Sequence, residues 1–85
     1  MTEPAPLATV RAVVLEHVRT RVALDDDTAL VSGGLLDSVA LLDVMISLEE
    51  RCGVSFPPRE VQPEDFDSIR KIAATIARFR PGATG

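Results

Sequence analysis

The residue with most chemical scope in this chain is one serine. Ser38 lies in Gly33-Gly34-Leu35-Leu36-Asp37-Ser38-Val39, at the opening of an apolar run from Val39 to Leu48. That position is the first turn of a helix. The hydroxyl there is either a helix cap, accepting from backbone N–H groups that lack partners, or a handle for something covalent. Few other residues offer chemistry. His17 is the only histidine, and its one acidic neighbour, Glu16, points elsewhere on the helix surface. Cys52 is the only cysteine, so neither an internal disulfide nor a cysteine-based metal site is expected. It falls on the inner face of the Ser38 helix, where a thiol behaves as a small hydrophobe. Asp25-Asp26-Asp27 lack the alternating ligands of a calcium loop and its glycine, so no metal is expected. Serine–histidine and cysteine–histidine catalysis therefore lack partners. An unassisted hydroxyl is a poor nucleophile, and an enzymatic role ranks behind the non-catalytic ones.

Charge is concentrated around the same serine. The net charge is −4, yet between Arg21 and Arg51 there are seven acids (Asp25, Asp26, Asp27, Asp37, Asp43, Glu49 and Glu50) and no base. An acidic surface disfavours nucleic acid and steers partners with basic surfaces toward it.

The elements that must position Ser38 follow from size and periodicity. Eighty-five residues make one small domain, which buries only about 60% of its unfolded surface and has no room for an enclosed active-site cavity. The core is expected over about residues 7–80, with flexible tails at 1–5 and 81–85. No signal peptide or membrane-length apolar stretch is present, which predicts a soluble, cytoplasmic protein, monomeric by default. Pro6 suits a helix start. Leu7, Val10, Val13, Val14 and Val18 mark a helical stripe ending near Arg21, with Arg19 and Arg21 complementing the dipole. Residues 22–37 form a long loop anchored by Leu24, Leu30, Leu35 and Leu36.

The second helix is predicted from Ser38 to Cys52, stopped by Gly53. Leu41, Val44, Met45, Leu48 and Cys52 form its core stripe. Val39, Leu42 and Ile46 form a second stripe beyond what the core needs, with Val39 and Ile46 expected to be most exposed. Val54–Pro58 is an extended linker with Phe56 plugging the core. Pro63-Glu64-Asp65-Phe66 reads as a single helical turn. A last helix starts at Asp67 or Ser68, turns Ile69, Ile72, Ala73, Ile76 and Phe79 inward and Arg70, Lys71, Arg78 and Arg80 outward, and stops at Pro81-Gly82.

Asp-Ser occurs twice, at Asp37-Ser38 and Asp67-Ser68, and each pair could simply cap a helix. Three features separate Ser38: a glycine-bearing loop that admits close approach, surplus apolar surface on its helix, and acidic flanks. Ser68 is followed by Arg70-Lys71 and is assigned capping only.

Gly34-Leu35-Leu36-Asp37-Ser38-Val39, then Leu42, Leu48-Glu49-Glu50-Arg51 and Gly53-Val54-Ser55-Phe56-Pro57, resemble the acyl carrier and peptidyl carrier proteins over about residues 7–80. The resemblance implies an all-α four-helix bundle with a short third helix and a long loop between helices 1 and 2. It implies 4'-phosphopantetheine, derived from coenzyme A, on Ser38, with Asp37 helping to present the site. It places Val39, Leu42, Asp43, Ile46, Glu49 and Glu50 on the partner-facing helix. The implied partners are a phosphopantetheinyl transferase, an acyl- or aminoacyl-loading enzyme and a downstream synthase or transferase. Gly34 stands three residues before Asp37, and Val39 follows Ser38, whereas fatty-acid carriers typically have glycine two before and leucine after. With Pro63-Glu64-Asp65-Phe66-Asp67-Ser68-Ile69, this form is more similar to discrete carriers of specialised pathways, including D-alanyl carriers. The competing class is a non-catalytic helical adaptor in which Ser38 is only a cap and the second stripe is the functional surface.

Overall fold

Apolar residues at helical spacing give three α-helices, α1 (Leu7–His17), α2 (Ser38–Cys52) and α3 (Ile69–Phe79), with a 3-10 turn at Pro63–Phe66. The computed structural model describes residues 7–18 and 24–79, and no strand occurs among them. The all-α expectation holds; where a short third helix is expected, the described residues have that four-residue 3-10 turn, beside three α-helices. Pro6, Arg19, Arg21, Arg80, Pro81-Gly82 and both expected tails lie outside the described residues. None of the helices among the described residues is long and apolar enough to cross a membrane.

Helix α1 packs against both α2 and α3, and α3 also packs against the 3-10 turn. Val10, Val13 and Val14 of α1 meet Val44 and Leu48 of α2 and Ile69, Ile72 and Ile76 of α3 in one buried cluster. Helix α1 ends at His17, short of the predicted Arg21, although Val18 N–H still donates to Val14 O at 3.0 Å. The His17 ring lies 2.9 Å from Val13 O through Nδ1, which ties it to its own helix. Glu16 pairs with Arg51 at 2.9 Å, linking α1 to the end of α2.

The aromatic residues close the other side of the core. Phe56 plugs it as expected, meeting Phe66 edge-on at 5.2 Å between centroids and Phe79 at 6.5 Å. Such edge-to-face geometry suits the ring quadrupoles. Gly53 ends α2 in the left-handed region at φ 64°, where a residue with Cβ is strained. Its N–H and that of Val54 both donate to Glu49 O. The Glu49 carboxylate reaches further and accepts from Phe56 N–H at 2.9 Å. A side chain expected on the partner-facing surface is thus half-buried and stitches the linker to α2.

The long loop is anchored by Leu24, Leu30 and Leu36, all buried, with Leu35 half-buried. Its start is held by ionic contacts that the periodicity gives no hint of. The Arg11 guanidinium donates to Leu24 O and to Asp26. Arg70, assigned to the outer face of α3, is exposed but donates to Asp27 at 2.8 Å, while its backbone N–H donates to Asp26 O at 2.9 Å. Asp25 accepts from Asp27 N–H at 2.9 Å and from the Thr28 hydroxyl at 3.0 Å, a local Asx turn. Those two bonds, the Asp27 one first, hold its carboxyl below the usual aspartate range.

Candidate functional site

The residue before α2 decides what Ser38 can do. Asp37 has extended backbone (φ −87°, ψ −176°), and its carboxylate accepts from Ala40 N–H at 2.8 Å, so Asp37 is the cap of α2. Ser38 is the first helical residue, is exposed, and has no hydrogen-bond partner for its hydroxyl among the described residues. The two Asp-Ser pairs are used in different registers. Ser68 is buried and caps α3, its hydroxyl accepting from Lys71 N–H at 3.0 Å. Capping alone therefore describes Ser68, as the sequence predicts, and describes Asp37 in place of Ser38.

The loop entering the site is a compact knot. Leu30 O accepts from Leu35 N–H at 2.8 Å and from Leu36 N–H at 2.9 Å, and Val31 O accepts from Gly34 N–H at 3.1 Å. Glycine is needed here for the knot's own geometry. A Cβ on Gly33 would come 2.3 Å from Ala29 O, and Gly34 sits at φ 79°. A Cβ on Gly34 would meet no other atom, so its positive φ alone calls for glycine.

Asp67 fastens this knot to α3, and periodicity alone did not reveal it. One carboxylate oxygen accepts from Val31 N–H at 2.7 Å and Ser32 N–H at 2.8 Å, and the other from the Ser32 hydroxyl at 2.7 Å. Its backbone O accepts from Leu30 N–H at 2.8 Å. The sole local hint was a second aspartate adjoining a helix-capping serine. The Ser32 backbone bond, followed by the Ser32 hydroxyl, holds the Asp67 carboxyl below the usual aspartate range. Asp67 and Asp25 are both depressed, so each stabilises the fold above the unfolded aspartate pKa of about 3.9. That stabilisation is lost as pH falls through the lower folded values. Melting followed from pH 7 to pH 2 should therefore decline mainly below about pH 4, with a smaller acid-side decline in Asp67→Asn.

Helix α2 presents an apolar and acidic flank. Val39, Leu42 and Ile46 are 70%, 55% and 45% exposed, so Leu42 outranks Ile46, contrary to the sequence expectation. Asp43 and Glu50 are exposed beside them. On the opposite stripe only Val44 and Leu48 are fully buried, whereas Leu41, Met45 and Cys52 are half-buried against the core. Leu41 and Met45 line an open apolar cleft of about 200 Å³ with Pro58, Val61 and Phe66, a feature absent from the sequence reading. A second, more polar groove of about 310 Å³ lies between the 3-10 turn and α3, away from Ser38. No cluster of potential metal ligands occurs among the described residues.

An all-helical fold with a capped helix start and an exposed serine defines a class that comparison makes specific. Residues 8–76 match the family described as "Phosphopantetheine attachment site". The chain belongs to this family of carrier proteins, whose covalent group is 4'-phosphopantetheine. It is 47% identical over 56 residues to lincomycin biosynthesis protein LmbN of Streptomyces lincolnensis, covering 66% of this chain and 20% of that protein. It is 36% identical over 52 residues to the D-alanyl carrier protein of Lactococcus lactis subsp. cremoris, covering 61% of this chain and 66% of that one. With D-alanyl carrier protein 1 of Lactiplantibacillus plantarum the identity is 28% over 80 residues, 94% of this chain and all of that protein. The chain thus spans a fifth of LmbN and about two thirds of the lactococcal carrier.

Proposed function

We propose that Ser38 is the residue to which 4'-phosphopantetheine is joined, and that residues 1–85 act as a single carrier domain. Its task is to hold an acyl or aminoacyl group and deliver it to partner enzymes of polyketide, nonribosomal peptide or related specialised biosynthesis. The observation that carries this reading is the division of labour at the start of α2. Asp37 caps the helix at 2.8 Å, leaving the Ser38 hydroxyl exposed and chemically unused. The residues suit the group: the hydroxyl is accessible, and the loop surface at Gly34 is open. The same observation counts against the adaptor reading, which needs Ser38 as the cap.

Nothing in this chain activates the hydroxyl, so the role is transport and the base belongs to a separate transferase. In the loading step Ser38 Oγ forms a bond to the β-phosphorus of coenzyme A, and the pyrophosphate P–O bond breaks. Adenosine 3',5'-bisphosphate leaves, and the serine proton passes to the transferase. When bound, the group supplies a terminal thiol that holds cargo as a thioester. Val39, Leu42 and Ile46 form the apolar contact for the transferase, the loading enzyme and the downstream enzyme. Asp43 and Glu50 steer their approach. LmbN is named for lincomycin biosynthesis, and this supports a specialised pathway; the proposed location is the cytoplasm, where coenzyme A is at hand.

Intact-mass spectrometry after incubation with coenzyme A and a broad-specificity phosphopantetheinyl transferase tests the assignment. The wild-type chain should gain one phosphopantetheine, mapped by fragmentation to Ser38, and Ser38→Ala should gain none. A wild-type chain that stays at its apo mass would return the adaptor reading to first place.

A further inference from the structure

We propose that Asp67 is a positioning residue for the loading of Ser38. It acts through the loop knot and touches neither the hydroxyl nor the incoming group. The inference rests on Ser38 being the attachment residue, but it concerns a different place, the junction between the 3-10 turn and α3.

Four hydrogen bonds converge on Asp67 from three consecutive loop residues, Leu30, Val31 and Ser32. Three of them end on the carboxylate, which as an anion makes hydrogen bonds about twice as strong as neutral ones. Leu30 is the hub of the knot, because its carbonyl also holds the N–H groups of Leu35 and Leu36. Leu36 is buried and is followed directly by the Asp37 cap and Ser38. A continuous chain of bonds thus runs from α3, through Leu30 and Leu36, to the first turn of α2. The second Asp-Ser pair sets the place of the first. Ser68 caps α3, and Asp67 reaches 35 and 36 residues back along the chain to fix the loop that leads into Ser38.

Arg11, through Leu24 O and Asp26, and Arg70, through Asp26 and Asp27, also hold the loop, but both act on its first residues. Asp67 is the attachment nearest the site. Without it the stretch from Leu30 to Leu36 keeps its buried leucines and loses its polar tether to α3. The transferase would then meet a loop that is competent only part of the time. A fractional competent population raises the apparent dissociation constant in proportion, so the defect falls on KM and spares kcat.

The test is steady-state transfer from coenzyme A by a broad-specificity transferase, with the carrier as the varied substrate. Asp67→Ala should lower kcat/KM about tenfold, mostly through KM, the effect expected when the loop is competent about a tenth of the time. Asp67→Asn, which keeps an acceptor oxygen but not the charge, should lie between Asp67→Ala and wild type. Ser32→Ala removes only one of the bonds and should give a smaller rise in KM. Amide exchange at Leu35 and Leu36 should quicken in the same order while that of Val13 and Val14 does not. Ile76→Val, a core change in α3 that removes none of these hydrogen bonds, controls for lost stability and should leave both constants at wild-type values. Should Asp67→Ala fail to fold, Asp67→Asn and Ser32→Ala decide the matter. Wild-type kcat/KM in the folded Asp67 variants overturns the proposal, as does a loss that Ile76→Val reproduces at matched stability. Failure of the wild-type chain to be loaded would strike at the Ser38 assignment, a distinguishable result.

Discussion

Truncating Val39 and Leu42 together to alanine should slow the loading of Ser38 about thirtyfold, the effect of about 2 kcal/mol expected when an apolar anchor is removed from a docking surface. The same change should leave the melting temperature close to that of the wild type. Both side chains are more than half exposed, at 70% and 55%, so little core packing is lost. Alanine is the best helix former, and replacing valine in the first turn of α2 also removes a branched side chain with a lower helical preference. Surface changes of this kind usually alter stability by about 0.5 kcal/mol or less. Leu15→Ala is the internal comparison, because Leu15 is 49% exposed but lies on α1, outside the patch. It should load at the wild-type rate. The measurement is kcat/KM for phosphopantetheine transfer, set beside thermal unfolding of each variant. Equal rates for the double variant and the wild type would remove the apolar flank from the docking surface.

Patterns within one element were legible in the sequence, and contacts between elements were not. The stripe Ile69, Ile72, Ala73, Ile76 is buried in α3 as its spacing requires. Pro63 with the acids behind it gave the 3-10 turn, and Gly53 ended α2 in the left-handed conformation that only glycine takes without strain. The roles of the two Asp-Ser pairs could not be read in this way. The same dipeptide begins α2 one residue earlier, relative to its serine, than it begins α3. That register depends on which aspartate has a tertiary partner: Asp67 is drawn to Val31 and Ser32, leaving Ser68 to cap, whereas Asp37 folds back on Ala40. Arg11, Arg70 and Glu49 show the same limit. Each reads as a solvated charge along its helix, yet each bonds a residue that only the fold brings near. The ordering of Val39, Leu42 and Ile46 was also misjudged, because exposure along a helix depends on where neighbouring elements end.

Phe66→Ala should be the most damaging single change to the fold, removing about 3–5 kcal/mol of stability. Phe66 is 1% exposed and is among the largest fully buried side chains. Its ring meets Phe56 edge-on at 5.2 Å, and Phe56 in turn is held by the Glu49 carboxylate through its backbone N–H. Truncation therefore empties the junction of the 3-10 turn, the linker and α2 together. A domain of this size has only about 0.05–0.15 kcal/mol of stability per residue, so the loss is a large share of the total. With about 4–8 °C of melting temperature per kcal/mol in small domains, the midpoint should fall by at least about 12 °C. Phe66→Leu, which keeps most of the volume, should cost less than half as much. Phe79→Ala should fall between them, since Phe79 is only half-buried and lies 6.5 Å from Phe56. The damage should reach the site as well, because Phe66 adjoins Asp67 in the chain and anchors the turn from which the loop tether departs. At temperatures where Phe66→Leu remains folded, faster amide exchange at Leu35 and Leu36 would reveal that link. A melting temperature for Phe66→Ala within 2–3 °C of wild type, roughly the effect of half a kcal/mol, would mean that this aromatic junction does not hold the helices together.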